Sequence, residues 1–383
     1  MNLKVLQFGE GNFLRGFFDW MVEKMNERAG FDGEVQIIRP RGTELNEVSR
    51  LLNERGGKYH FCERGILNGE TVESLETIAS VRGVDTAANL EKYATEEALR
   101  FVVSNTTEAG IEYVKGADTF PAKVLRLLKA RCAAGLKGLV FLPCELIENN
   151  GERLKECVLK HLADENEASG KLRDYIEREC VFCSTLVDRI VSGRPDEESA
   201  ARYEKMLGEK DEALVCGEPF HFFAIETPPD FDLEAELPLA KAGVNVVYTR
   251  DLTPYRTRKV RFLNAAHTSI VYWAMERGFK EVAEVVADKE GNAFLRKLLF
   301  EEIFPTVKLP DDEKSAYANS VLERFANPFA HHRLSSIALN AIAKWKTRCL
   351  PVVCDYYAMS GKLPAAIMQG YEAIARHYDN QSA

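Results

Sequence analysis

Leu3-Lys4-Val5-Leu6-Gln7-Phe8-Gly9-Glu10-Gly11-Asn12-Phe13-Leu14-Arg15-Gly16 decides the fold. The apolar run to Phe8 reads as a strand, and the amphipathic run from Phe13 to Arg28 as a helix. Gly9 permits the tight turn between them. Gly11 lets a pyrophosphate approach the backbone, where the unbonded N–H groups of a helix start favour an anion. The spacing is GxGxxxxG rather than the commoner GxGxxG, and a lone glycine pair suits any strand-to-helix turn. Its place directly after the first strand is what points to a dinucleotide. Phe8, Gly9, Gly11, Asn12 and Phe13 are the candidate cofactor contacts.

Outward from this turn the first half keeps alternating strand and helix. Glu34–Arg39 is a second strand, and Leu99–Ser104 and Gly138–Leu142 are further apolar runs ending in polar turns. That alternation predicts an α/β, Rossmann-type N-terminal domain with a mostly parallel sheet. Pro219–Glu226 and Val244–Arg250 read as two more strands, extending the same sheet. A site selective for NAD usually offers an acid at the end of its second strand, for the ribose 2′-OH. Here the end is Ile37-Ile38-Arg39-Pro40-Arg41, with no acid until Glu44. Arg39 or Arg41 can stack on adenine or accept a 2′-phosphate, so these residues leave NADP open beside NAD.

After Asp251 the pattern becomes helical. Pro254–Arg277 reads as one long helix, with Thr253 as its cap, Pro254 in its first turn and Gly278 at its end. Helical runs follow near Lys280–Ala287, Ala293–Phe304, Ala316–Arg324, Leu334–Lys346 and Pro364–Tyr378. The expected division is a dinucleotide-binding domain over 1–250 and an all-α substrate domain over 251–383. On the wheel of the long helix, Val260, Leu263, Ile270 and Ala274 mark an apolar face. Lys259, Asn264 and His267 fall on that face, while Thr257, Arg258, Arg261 and Thr268 lie opposite. Turning polar groups inward costs about 1–3 kcal/mol each unless they are paired or functional. A desolvated lysine moves toward neutrality and can exchange a proton with a hydroxyl. Asn264 can donate to an oxygen that becomes negative during hydride transfer. His267 can fix a hydroxyl or orient the lysine. Taken singly, a snorkelling lysine and a satisfied core histidine are the plainer readings. The three together favour chemistry.

Composition limits the partners. The chain has 383 residues, 46% of them hydrophobic, enough for more than one domain, and a formal charge of −9. No basic block offers a footprint for nucleic acid. No run approaches the roughly 18 apolar residues of a membrane helix, and Met1 leads at once into a strand rather than a secretory leader. A cytoplasmic protein with mostly buried, reduced thiols is expected. Cys180 and Cys183 form a single CxxC without a second pair, so no metal is expected. The charged stretch Asp196–Asp211 reads as solvated surface. Oligomeric state is not legible.

Several segments together resemble the polyol-specific long-chain dehydrogenases, the mannitol dehydrogenase family, over most of the chain. They are Leu6–Arg15, Ser104-Asn-Thr-Thr-Glu-Ala-Gly-Ile111, Pro143-Cys-Glu-Leu-Ile-Glu-Asn-Asn-Gly151, Thr185-Leu-Val-Asp-Arg-Ile-Val191, Tyr255–Thr268 with its KxxxxNxxH spacing, and Arg324-Phe-Ala-Asn-Pro328. Mannitol-type members carry Cys-Asp-Asn where this chain has Cys144-Glu145-Leu146, which favours the uronate-reducing branch. The resemblance implies reversible reduction of D-tagaturonate to D-altronate with NADH, a small sugar acid as substrate, and no metal. It implies Lys259 as acid/base, Asn264 and Asn150 as oxyanion donors, and His267 as a substrate-orienting group. It also places Ser104, Asn105 and Thr106 near the cofactor, and Val187 and Asp188 along the active site. The carboxylate of a sugar acid needs a cation, and arginine pairs it best. Arg189, Arg256 and Arg333 are the candidates. Fructuronate reduction and mannitol-type oxidation are the alternatives within the family. A dinucleotide-binding sensor without catalysis is the alternative outside it, and such a sensor need not keep Lys259, Asn264 and His267.

Overall fold

The computed structural model describes residues 1–165 and 170–381. In chain order its strands are β1 (Asn2–Phe8), β2 (Gly33–Arg39), β3 (Tyr59–Leu67), β4 (Glu70–Ile78), β5 (Val81–Thr86), β6 (Phe101–Ser104), β7 (Val140–Pro143), β8 (Val181–Phe182), β9 (Ser184–Asp188), β10 (Val191–Gly193), β11 (Val215–Gly217), β12 (Phe222–Glu226) and β13 (Val246–Thr249). Six of them form one sheet in the order β5-β2-β1-β6-β7-β8, every neighbouring pair parallel. This is the doubly wound order, and its switch point lies between β1 and β6.

Alternation along β1 explains why the sheet is central. Val5 joins Val35, Ile37, Val103 and Leu142 in one core. Leu6 and Phe8 join Ile38, Val102 and Phe141 in the other. A strand covered on both faces needs apolar side chains at nearly every position, which is how β1 reads.

Three expectations change. The first helix is two: α1 (Asn12–Arg15) and α2 (Phe18–Ala29), with Gly16 and Phe17 between them. A Cβ on Gly16 would stand 2.8 Å from the Val191 side chain, so the backbone passes close by and bends there. The strands expected at Pro219–Glu226 and Val244–Arg250 exist as β12 and β13 but do not extend the main sheet. With β9 they form a separate three-stranded sheet, β12 parallel to β13 and antiparallel to β9. Alternation identifies a strand but not its partner. A further sheet, β10-β11-β3-β4, was not expected at all. Its β3–β4 turn is Asn68-Gly69, with φ of 54° and 80°, a sequence suited to a two-residue hairpin.

The chain divides into two compact units. One comprises Met1–Glu63, Ser74–Gly217 and His221–Leu252; the other Arg64–Glu73, Glu218–Phe220 and Thr253–Ala383. The helical unit thus takes in two stretches that precede residue 251. Its core gathers Phe262, Ile270, Trp273, Leu295, Val321 and Phe325. Among the described residues no helix is long and apolar enough to cross a membrane.

Candidate active site

The sheet unit supplies a cleft of about 470 Å³ at the switch point, lined by Gly9–Asn12, Arg39–Arg41 and Asn105–Thr107. Gly9 has φ +123°, and a Cβ there would stand 3.0 Å from the Asn105 carbonyl. Glycine is required both by the conformation and by that approach. Gly11 faces open space, which leaves the backbone accessible to a pyrophosphate. With α1 a single turn, a helix dipole contributes little, and the anion cradle is chiefly the turn itself. The residues present therefore fit a dinucleotide. Phe8 is buried beneath this cleft, packed on Phe120 at 4.9 Å. Phe13 stacks on Phe17 at 5.0 Å. Both shape the turn from the protein side.

Glu145 organises the other wall and was not singled out as a site residue from the sequence. Its buried carboxylate accepts from Ser104 Oγ at 2.9 Å, Thr106 N at 2.8 Å and Thr106 Oγ1 at 2.9 Å. Burial pushes its pKa up against the pull of these donors. Asn105 donates from Nδ2 to the Cys144 carbonyl at 2.9 Å. The β6 end that lines the cleft is thus pinned to the β7 end. An acid two residues past an apolar strand was the available signal.

Asn150 is buried, and its amide is committed. Nδ2 lies 2.8 Å from the Pro143 carbonyl, 3.0 Å from that of Glu145 and 3.2 Å from that of Thr185, while Oδ1 accepts from Thr185 N at 2.8 Å. An amide has two hydrogens to donate, and three carbonyls take them up. The expected oxyanion role would require breaking one of these bonds. In this geometry Asn150 clamps the ends of β7 and β9, which carries Val187 and Asp188, both buried.

The helical unit holds Lys259, Asn264 and His267. The expected single helix is three segments: Thr253–Arg258, a π-helical turn over Lys259–Ala265, and Ala266–Met275. This corrects the wheel. On a regular α-helix Lys259 and Asn264 would stand about 140° apart. A turn closed by i→i+5 bonds holds more residues, which narrows that separation, and such bulges recur at functional sites. The polar face was expected to turn inward, and it does so only in part. Lys259, Asn264 and His267 are half-buried, whereas Arg258 and Thr268, expected on the open side, are buried. Arg258 lies over the Tyr317 ring at 4.4 Å, and Thr268 donates to the Asn264 carbonyl at 2.9 Å.

His267 stacks on Phe325 at 4.1 Å and meets His332 edge-on at 5.7 Å. Its Nε2 and His332 Nδ1 are buried atoms without a hydrogen-bond partner. Burial, then His332 and the cations Arg324, Arg348 and Lys344, hold its pKa well below the usual histidine range. At neutral pH the ring is uncharged, so it can serve a hydroxyl but not a carboxylate as a cation.

The cation candidates separate. Arg189 is buried, donates to the Gly16 carbonyl at 3.0 Å and to Glu63 at 2.7 Å, and lies 4.4 Å over Trp20. These contacts are those of a packed structural ion, and they set Arg189 apart from the other two candidates. Arg256 is half-buried and Arg333 exposed. The CxxC cysteines are buried thiols, raised by burial to about 11 at Cys180 and about 12 at Cys183.

Residues 3–238 match the mannitol dehydrogenase Rossmann domain, and residues 251–382 the mannitol dehydrogenase C-terminal domain. The chain is 43% identical over 395 residues to an altronate oxidoreductase of Bacillus subtilis, covering 99% of this chain and 80% of that protein. It is 40% identical to one of Halalkalibacterium halodurans, covering 98% and 75%, and 39% identical to one of Yersinia enterocolitica, covering 98% and 80%. A substrate-free D-sorbitol dehydrogenase shares the fold with a TM-score of 0.84 at 22% identity, covering 98% of this chain and 80% of that one. A Pseudomonas fluorescens mannitol 2-dehydrogenase, solved with NAD and D-mannitol, shares it at 0.74 and 20% identity, covering 98% and 79%. With the cleft at the switch point, these define a nicotinamide-dependent dehydrogenase acting on a CH–OH group of a polyol or sugar acid. The chain belongs to the mannitol dehydrogenase family.

Proposed function

We propose that the protein reduces D-tagaturonate to D-altronate with NADH, reversibly, with Lys259 as acid and base and no metal in the step. The observation that carries this is the identity of 39–43% to altronate oxidoreductases over nearly the whole chain. In this reading residues 1–250 hold the cofactor and residues 251–383 the sugar acid. The nicotinamide supplies the hydride. Lys259 gives a proton to the carbonyl oxygen as charge develops on it, and takes it back in the reverse direction. Asn264, one π-turn along, donates a hydrogen bond to the same oxygen. His267, neutral and with Nε2 unpartnered, orients a substrate hydroxyl. Asn150 acts by positioning the β7 and β9 ends. Arg256 and Arg333 remain the candidates for the substrate carboxylate.

NADH oxidation measured side by side with D-tagaturonate, D-fructuronate and D-fructose tests the substrate. Tagaturonate should be turned over fastest; an equal or greater rate on fructuronate would refute the assignment. Lys259→Ala should abolish turnover while leaving NADH binding nearly unchanged. Turnover near wild type in that variant would refute the acid/base role.

A further inference from the structure

The glycine turn carries a carboxylate, and the second strand ends on a guanidinium that meets it. Glu10 stands between Gly9 and Gly11, and its Oε1 lies 3.2 Å from Arg39 Nε. That contact is an ion pair, and a different nitrogen, Arg39 Nη1, donates to the Glu44 carbonyl at 2.6 Å. The side chains are 21% and 25% exposed, so the pair is partly withdrawn from water. Both residues line the cleft at the switch point. A second cleft shares Pro40 and Arg41 with it and runs on past Thr43 to Ala87 and Ala88. An adenosine that ran from the glycine turn into this second cleft would pass Glu10 and Arg39.

In a dinucleotide fold the end of the second strand faces the ribose 2′ position, and an acid there selects NAD. This chain has Arg39 at that place, a residue that by itself favours the 2′-phosphate of NADP. We propose that Glu10 is the residue that selects NAD, supplying from the glycine turn the carboxylate that β2 lacks. Its pairing with Arg39 offsets the positive charge that would attract a 2′-phosphate. The same carboxylate can accept a ribose hydroxyl, whereas a phosphate would meet it as a like charge in a partly screened site. Arg39 in turn sets its positive charge beside the carboxylate at the cleft. This rests on the reading of the cleft as a dinucleotide site.

The test is fluorescence titration of the purified chain with NADH and with NADPH, which needs no turnover. Wild type should bind NADH the more tightly. Glu10→Gln should strengthen NADPH binding about tenfold, since it removes the repulsion and releases Arg39. Adding Arg39→Gln to that variant should cancel the gain. Glu10→Ala removes the same charge without a hydrogen-bonding replacement and should shift the preference in the same direction. NADPH affinity unchanged within error in both Glu10 variants, or a wild-type preference for NADPH, would overturn the proposal. Binding of neither cofactor to wild type would overturn the dinucleotide reading itself, and the proposal with it.

Discussion

Arg189 has the chemistry of a carboxylate clamp and the surroundings of a structural ion. Its guanidinium is enclosed by Trp20, Phe61, Glu63 and the Gly16 carbonyl. Arg189→Ala should therefore lower the melting temperature, at a cost of about 3 kcal/mol from the carboxylate it leaves behind, while the KM for sugar acid in the folded fraction stays unchanged. A raised KM with an unchanged melting curve would return Arg189 to the substrate. In the sequence it could not be told from Arg256 or Arg333, because enclosure is decided by distant residues. His267 was legible as an anomaly, but its charge state was not: the burial that chiefly depresses it, and then His332 and the cations, come from elsewhere in the chain. The sign of its pH effect is fixed. The unfolded chain takes up a proton near pH 6.5, while the folded ring resists it, so stability falls as pH drops below about 6.5. His267→Gln should flatten that fall, read as melting temperature against pH between about 7 and 5. His332, lowered by burial and by Arg324, adds to it in the same sense.

Among the elements, β1 and its turn were the most legible, because apolar alternation and paired glycines are local signals. The π-helical turn was not. It is a change of hydrogen-bond register, and side-chain periodicity does not report the register of the backbone. The separate β9-β12-β13 sheet was half legible, its strands from composition but its partners only from tertiary pairing. Two predictions belong here. Gly9→Ala should cost about 1–3 kcal/mol through a strained positive φ and weaken NADH binding, because its methyl group would press on the Asn105 carbonyl that borders the cleft. The second concerns α2, where burial raises Asp19 to about 7 despite Arg15 and the Tyr59 hydroxyl. A carboxyl that stays protonated when folded but ionises when unfolded costs stability as pH rises from about 4 to 7. Asp19→Asn should raise the melting temperature at pH 8 and leave it nearly unchanged at pH 4. An equal gain at both values would remove ionisation as the cause.

For the whole molecule, a sheet-based half and a helical half were legible from the change of texture after Asp251. The discontinuity of the helical unit was not, because Arg64–Glu73 reads as polar, unremarkable strand ends. NADH should stabilise the folded chain by mass action, about 2.7 kcal/mol at a hundredfold excess over its dissociation constant. Calorimetry with and without NADH checks this, and no shift would argue against the cofactor site. The discontinuity has a consequence for exchange between relatives. Asn327 donates to the Arg64 carbonyl at 3.4 Å, Arg324 pairs with Glu218 at 2.8 Å and lies 4.4 Å over Phe220, and Arg64 lies 5.2 Å over Phe329. A chimera joined once near Leu252 would therefore graft a helical unit onto two foreign strips of its own fabric. A recombinant that breeds true must splice at five points, carrying Arg64–Glu73 and Glu218–Phe220 along with everything after residue 252.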